Sequence, residues 1–158
     1  MQRSSGGPQI GHVHLKVADL ERAIGFYQLL GFELTQRYGP QAAFMGADGY
    51  HHHIGLNTWE SAGAAPAPGG FAGLYHLAVL YPDRRGLAQA LGRVLAAGYA
   101  LEGAADHGVS EAVYLRDPDG NGVELYRDRA PEDWPRDAEG ALRMGNTRLD
   151  VAALLAEA

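Results

Sequence analysis

One order of elements occurs twice in this chain, and it limits the fold more than any other feature. "HVHLKV" (His12–Val17) alternates apolar and polar residues as a half-buried strand does. From Asp19 the apolar residues Leu20, Ala23, Ile24, Tyr27 and Leu30 recur at helical spacing until Gly31. Asp19 suits a helix N-cap, and Gly31 suits the residue that ends a helix. Three strand-like runs follow, "FELTQRY", "QAAFMG" and "HHHIGLNTW". Then the order returns. "YHLAVLY" (Tyr75–Tyr81) reads as a strand, Asp83 as the cap of a helix carrying Leu87, Ala90, Leu91, Val94 and Leu95, and Gly98 as its end. "YALEGA", "EAVYLRD" and "GVELYRD" complete the second copy, with the turn "DPDGNG" (Asp117–Gly122) between the last two. His12 stands seven residues before Asp19, and His76 seven before Asp83. The pattern predicts one βαβββ unit used twice.

A length of 158 residues suits a single domain spanning 1–158 and holding both copies. Module 1 covers about residues 9–60 and module 2 about 74–128. Between them "SAGAAPAPGGFAG" (Ser61–Gly73), small residues with Pro and Gly, reads as a linker. The tail, 129–158, belongs to neither copy, and its end is expected to form a short helix packed on the body or on a second subunit. With no cysteine, disulfides and thiolate metal sites are excluded, so a metal must be held by imidazole and carboxylate. A net charge of −6 without a basic cluster argues against nucleic acid as partner. "MQRSSGGPQI" lacks the apolar core of a leader, and no run approaches the ~18 apolar residues of a membrane span. A cytoplasmic protein acting on a small molecule or on another protein is expected.

Each copy opens on a histidine at the same strand position, His12 and His76, and the last strand of the second carries Glu124 between Val123 and Leu125. A carboxylate among apolar neighbours is costly unless it is paired or bound to metal. Two imidazoles and one carboxylate from three strands match the facial triad of non-haem Fe(II) oxygenases. A strand histidine taken alone is equally well explained by an ordinary hydrogen bond, and Glu124 by a salt bridge to an Arg. The equivalence of His12 and His76 in the repeat is what favours a metal. His14 shares a face with His12, either lining a cavity or hydrogen-bonded. In "GYHHHIGLNTW", strand alternation lets His51 and His53 share a face and puts His52 on the other.

"GHVHLKVADLERAIGFYQLLGF", "YHLAVLY" and "DPDGNGVELY" together resemble the vicinal oxygen chelate superfamily over about residues 10–128. That superfamily includes glyoxalase I, fosfomycin-resistance proteins, bleomycin-binding proteins and extradiol dioxygenases. The resemblance implies an α+β fold in which two tandem βαβββ modules form a half-open curved mixed sheet around a metal site. Within the superfamily the chain is most similar to the catechol 2,3-dioxygenase group, many of whose members carry four modules and some of which carry two. "HHHIGL" resembles that group's run of a histidine, two variable residues, a small residue and Leu or Phe, which makes His52 the catalytic histidine and Gly55 the small residue. "DHGVSEAVYLRDPDGNGVELY" resembles the segment that supplies a second histidine, a tyrosine and the ligand glutamate; these fall on His107, Tyr114 and Glu124. Counting from the turn glycines Gly49 and Gly120 instead pairs His53 with Glu124. Glyoxalase I would add a glutamate ligand from the last strand of module 1. This chain has "HIGLNTW" there, which leaves the triad open.

The resemblance therefore implies Fe(II), or Mn(II) in its place, on His12, His76 and Glu124. It implies a catechol-type aromatic diol and dioxygen as substrates and a homodimer as the assembly. His52 would move protons, while His107 and Tyr114 would donate hydrogen bonds to the substrate oxygens. Two alternatives stand beside it. One is another metal-dependent activity of the superfamily, a glyoxalase I-like lyase or thiol transferase using Ni(II) or Zn(II). The other is a drug-binding resistance protein, against which a complete triad argues.

Overall fold

The computed structural model describes residues 6–158, so the start of the segment read above for a leader lies outside the described residues. The strands and helices are β1 (Val13–Lys16), α1 (Leu20–Leu29), β2 (Glu33–Tyr38), β3 (Ala42–Gly46), β4 (Ile54–Asn57), β5 (His76–Tyr81), α2 (Arg84–Ala96), β6 (Gly103–Asp106), β7 (Ser110–Arg116), β8 (Gly122–Asp128), β9 (Thr147–Arg148) and α3 (Val151–Leu155). The α+β class and the repeated βαβββ order are both present. Contacts divide the chain into two compact units, one running to Ala64 and the other comprising Leu29–Gly31 and Ala65–Ala158. Among the described residues no helix is long and apolar enough to cross a membrane.

In the first unit the strands lie in the order β1-β4-β3-β2, with β1 parallel to β4 and the other pairs antiparallel. The Asp19 carboxylate accepts from the Arg22 N–H at 3.0 Å and starts α1. At its end Gly31 takes a φ of +106°, and the Phe32 N–H returns to the Tyr27 carbonyl. Leu20, Ala23, Ile24 and Tyr27 of the helix are buried, as are Leu15, Met45, Ile54 and Leu56 of the sheet. These residues form the unit's core. Alternation sends His14 of β1, Phe44 of β3 and Gly55 of β4 to the other face.

The second unit repeats the plan as β5-β8-β7-β6-β9, with β5 parallel to β8. Asp83 accepts from the Gly86 N–H at 2.7 Å, Gly98 adopts a φ of +92°, and the Tyr99 N–H bonds the Val94 carbonyl. Leu87, Ala90, Leu91 and Val94 are fully buried, and Leu77, Val79, Val113, Leu115, Val123 and Leu125 are buried on the strands. His76, Tyr114 and Glu124 alternate with these core positions and so belong to the opposite face.

The structure corrects two expectations. "YALEGA" is strand only from Gly103, because the chain leaving α2 does not rejoin the ladder until the Glu102 N–H reaches the Tyr114 carbonyl. The three histidines precede β4 rather than heading it. In the tail, β9 pairs with β6 and extends the second sheet, and the expected short helix follows. Asp150 caps α3, whose Leu154 is fully buried, and this helix packs against α2.

On the helix-facing side of β7 the buried Glu111 accepts from Arg84 at 3.0 Å and from Arg127 at 2.8 Å. Beside it Arg129 forks onto Asp106 at 2.6 and 2.7 Å. The Arg129 hydrogen bonds hold the Asp106 carboxyl below its usual range, outweighing the opposite effect of burial. With the folded value depressed, the pair's contribution is complete above the unfolded carboxyl value of ~3.9 and is lost as pH falls through the folded one. Asp106→Asn is expected to cost about 1–3 kcal/mol at neutral pH. Its deficit relative to the parent should shrink in acid, below about pH 4, as read by urea unfolding at several pH values.

Candidate active site

Strand register assembles the candidate groups of the second unit. Parallel pairing sets His76 opposite Gly122 and Ala78 opposite Glu124, while antiparallel pairing sets Tyr114 opposite Glu124. The ten-residue spacing from Tyr114 to Glu124 is thus that of two partners across a hairpin. His76 Nε2 lies 2.9 Å from Glu124 Oε2. The Tyr114 hydroxyl lies 3.3 Å from Glu124 Oε1 and 2.6 Å from His107 Nε2. Burial first, then the charge of Glu124, push the Tyr114 phenol up to about 12, so this group keeps its proton. His76, Tyr114 and His107 border a cavity of about 390 Å³, lined also by Tyr75, Ala105 and Asn146.

His76 and Glu124 make a sound pair of metal donors. Neighbouring ligands on an octahedral ion with bonds of ~2.1 Å stand about 3 Å apart, and these two donor atoms already have that separation. In the first unit the His12 and His52 rings are in contact, with centroids 4.5 Å apart, and Phe44 covers His52 at 4.9 Å. Desolvation, then the neighbouring histidines, lower the pKa of the His52 imidazole. His14 packs against Phe44 and Trp59. Among the described residues, no group of three or more His, Asp or Glu side chains is already drawn together as a metal cage.

The three consecutive histidines do not alternate. His51 Nδ1 and His52 Nδ1 are 2.7 Å apart, which an extended strand would forbid but the bent chain before β4 allows. The His53 backbone joins Val13 to Met45, and its ring accepts from the Ala47 N–H at 3.3 Å. It serves the turn. Pairing His53 with Glu124 by counting from the glycines also fails. His14 lies opposite Gly55 as Ala78 lies opposite Glu124, so Gly55 occupies the repeat position of Glu124 and His53 that of Gly122. Gly49 precedes Gly55 by six residues and Gly120 precedes Glu124 by four, so the first module's connection is two longer. A glycine therefore stands at the position of module 1 that answers to Glu124.

His107 has a partner that the repeat could not reveal. Its Nδ1 lies 2.9 Å from the Gly145 carbonyl, in the tail. Nothing in the spacing points to Gly145 or Asn146, because the tail has no counterpart in module 1.

Both strand glycines are close contacts, but of different kinds. A Cβ on Gly122 would lie 2.4 Å from the Tyr75 carbonyl oxygen and 3.0 Å from His76 Cβ; on Gly55 it would meet the His14 ring at 2.8 Å. Gly122→Ala must push β5 away, at an expected cost of about 1–3 kcal/mol, and should weaken metal binding through His76. Gly55→Ala displaces a side chain alone and should cost less. Thermal unfolding and metal titration of the two variants check this order.

The model of the Glyoxalase/Bleomycin resistance protein/Dioxygenase superfamily matches residues 9–125. The chain is 43% identical over 150 residues to a catechol-2,3-dioxygenase of Bacillus subtilis (strain 168), covering 94% of this chain and 52% of that protein. It is 29% identical over 122 residues to biphenyl-2,3-diol 1,2-dioxygenase 3 of Rhodococcus globerulus, covering 77% and 64%. The chain thus spans about half to two-thirds of the length of these curated relatives. A glyoxylase/bleomycin resistance protein/dioxygenase domain from Frankia sp. EAN1pec matches the structure with a TM-score of 0.64 at 23% identity, over 78% of this chain and 100% of that one. A likeness of that identity speaks for the fold alone. With the βαβββ order repeated in sequence and structure and the family match running across both copies, this chain belongs to the Glyoxalase/Bleomycin resistance protein/Dioxygenase superfamily.

Proposed function

We propose that this chain is an Fe(II)-dependent extradiol dioxygenase that opens the ring of a catechol-type aromatic diol with dioxygen. The observation that carries the reading is the His76–Glu124 donor pair, backed by Tyr114 and His107 on one cavity. The 43% identity to a protein named catechol-2,3-dioxygenase supports it. In this reading His76, Glu124 and His12 hold the ion, with Mn(II) as the substitute metal. Bound there, Fe(II) supplies a Lewis-acidic centre with open positions for the diol oxygens and for dioxygen.

The protein's own groups do the rest. One carboxylate among the three ligands leaves the ion a single net positive charge, which a diol monoanion neutralises in a site partly shielded from water. The cavity of about 390 Å³ is of the size that takes a small-molecule ligand. His52 accepts the proton of a diol hydroxyl and later returns it, the work for which imidazole is suited. Tyr114, kept protonated, meets the substrate with His107 behind it in a short hydrogen-bonded chain. The expected product from catechol is a 2-hydroxymuconic semialdehyde. Gly55 in the place of a fourth ligand weighs against the glyoxalase-like alternative on Ni(II) or Zn(II). The same reading takes the protein to be a cytoplasmic homodimer.

Anaerobic reconstitution with Fe(II), followed by oxygen uptake and colour development with catechols, tests the proposal. Glu124→Gln is expected to lose most of the metal while retaining the fold. His52→Phe should keep the iron and lower turnover by about 10²–10⁴, the usual scale of general acid–base catalysis. Stoichiometric iron without oxygen uptake on any simple catechol would overturn the assignment.

A further inference from the structure

The tail does more than add a strand to the second sheet. It closes on the β6–β7 turn that carries His107, and it does so at three points. Pro135 lies over Gly108, where a Cβ would meet its ring at 2.7 Å, and Gly108 holds a φ of +77°. β9 runs beside Asp106, with the Thr147 hydroxyl donating to the Asp106 carbonyl at 3.3 Å. Between these, Gly145 meets His107 twice. Its N–H donates to the His107 carbonyl at 2.9 Å, and its own carbonyl lies 2.9 Å from His107 Nδ1. A short hairpin sets up this approach, with the Arg143 N–H on the Pro135 carbonyl and the Asp137 carboxylate accepting from Glu139 and Ala141.

A backbone carbonyl has no proton to give, so His107 Nδ1 must be the donor. A neutral imidazole carries one N–H, and using it on Gly145 leaves Nε2 a bare acceptor. The Tyr114 hydroxyl is 2.6 Å from that nitrogen. Tyr114 also has one proton, and it cannot serve both His107 at 2.6 Å and Glu124 at 3.3 Å. The shorter contact takes it.

We infer that Gly145 is a positioning residue: its carbonyl fixes His107 in the tautomer protonated at Nδ1, which turns the Tyr114 hydroxyl hydrogen toward His107. The Tyr114 oxygen then presents lone pairs to the cavity, and neutral His107 has no N–H left for a ligand. The expectation that both groups donate to substrate oxygens is thereby reversed. The site at Tyr114 selects a ligand that itself donates, such as a diol hydroxyl that still bears its proton. This last consequence rests on the function proposed above, whereas the tautomer does not.

Nitrogen NMR of the full chain, labelled at histidine with ¹⁵N and loaded with diamagnetic Zn(II), reads the tautomer directly at about pH 8, where imidazole is ordinarily neutral. His107 should be protonated at Nδ1, and Nε2 at this pH would overturn the inference. Tyr114→Phe separates the two partners of the ring. If Gly145 sets the tautomer, Nδ1 stays protonated in this variant; a switch to Nε2 would assign control to Tyr114 and overturn the inference. Gly145→Pro removes the N–H that ties the strap to His107, while Gly145→Ala keeps it, and a Cβ there meets nothing within 4 Å. The proline variant is expected to shift the tautomer ratio by about fivefold or more, the equivalent of one neutral hydrogen bond, with the alanine variant unchanged. An unshifted ratio in a folded proline variant counts against the strap, and the Tyr114→Phe result decides if that variant does not fold. Failure to consume oxygen with catechols would sink the proposed reaction and leave the tautomer standing.

Discussion

The parallel contact between the first and last strands of the second module is what its candidate site depends on. β5 and β8 approach so closely at Gly122 that a single methyl group there would strike the Tyr75 carbonyl. That approach fixes the height of His76 on its strand relative to Glu124, two residues further along β8. The 2.9 Å between their donor atoms follows from backbone geometry, with α2 packed on the other face to keep the strands in place. Tyr114 joins because antiparallel pairing sets it directly across from Glu124. Three candidate groups thus stand on one face of three adjacent strands, the face that alternation leaves once the core has taken the other.

The same unit used twice yields two different outcomes. In both modules a helix capped by Asp and ended by Gly packs its apolar stripe on one side of the sheet. On the other side, the position that holds Glu124 in the second module holds Gly55 in the first. The missing side chain is filled by the His14 ring, which lies against Gly55, and an imidazole and aromatic cluster of His12, His52 and Phe44 takes the place of a carboxylate. A duplicated backbone therefore need not carry duplicated chemistry, since one substitution at a register position changes what the face can bind.

The tail supplies a third element that duplication does not provide. Backbone groups at Gly145 hold His107 by both its carbonyl and its ring, and the ion pair between Arg129 and Asp106 anchors the same turn from below. A hydrogen-bonded ring whose second nitrogen is committed to a backbone carbonyl is a common way of fixing a histidine tautomer. Here the carbonyl comes from 38 residues away in the chain.

By itself the sequence determined the elements and their order. Local signals sufficed for that: period-two and helical spacing, Asp caps, terminal glycines, and the seven-residue offset from His12 to Asp19 and from His76 to Asp83. The hairpin spacing that pairs Tyr114 with Glu124 was legible for the same reason, since a short turn fixes register. Tertiary structure alone decided the rest. The two extra residues before β4 are visible as a count, but only the ladder shows that they move His53 off Glu124's position and bend His51 against His52. The pairing of the tail with β6 joins residues with no shared period, turn or repeat, so no local propensity encodes it. Local preferences act over a few residues and can be read from a string, whereas the partner of His107 was chosen by packing between distant segments, which is settled only when the whole unit folds.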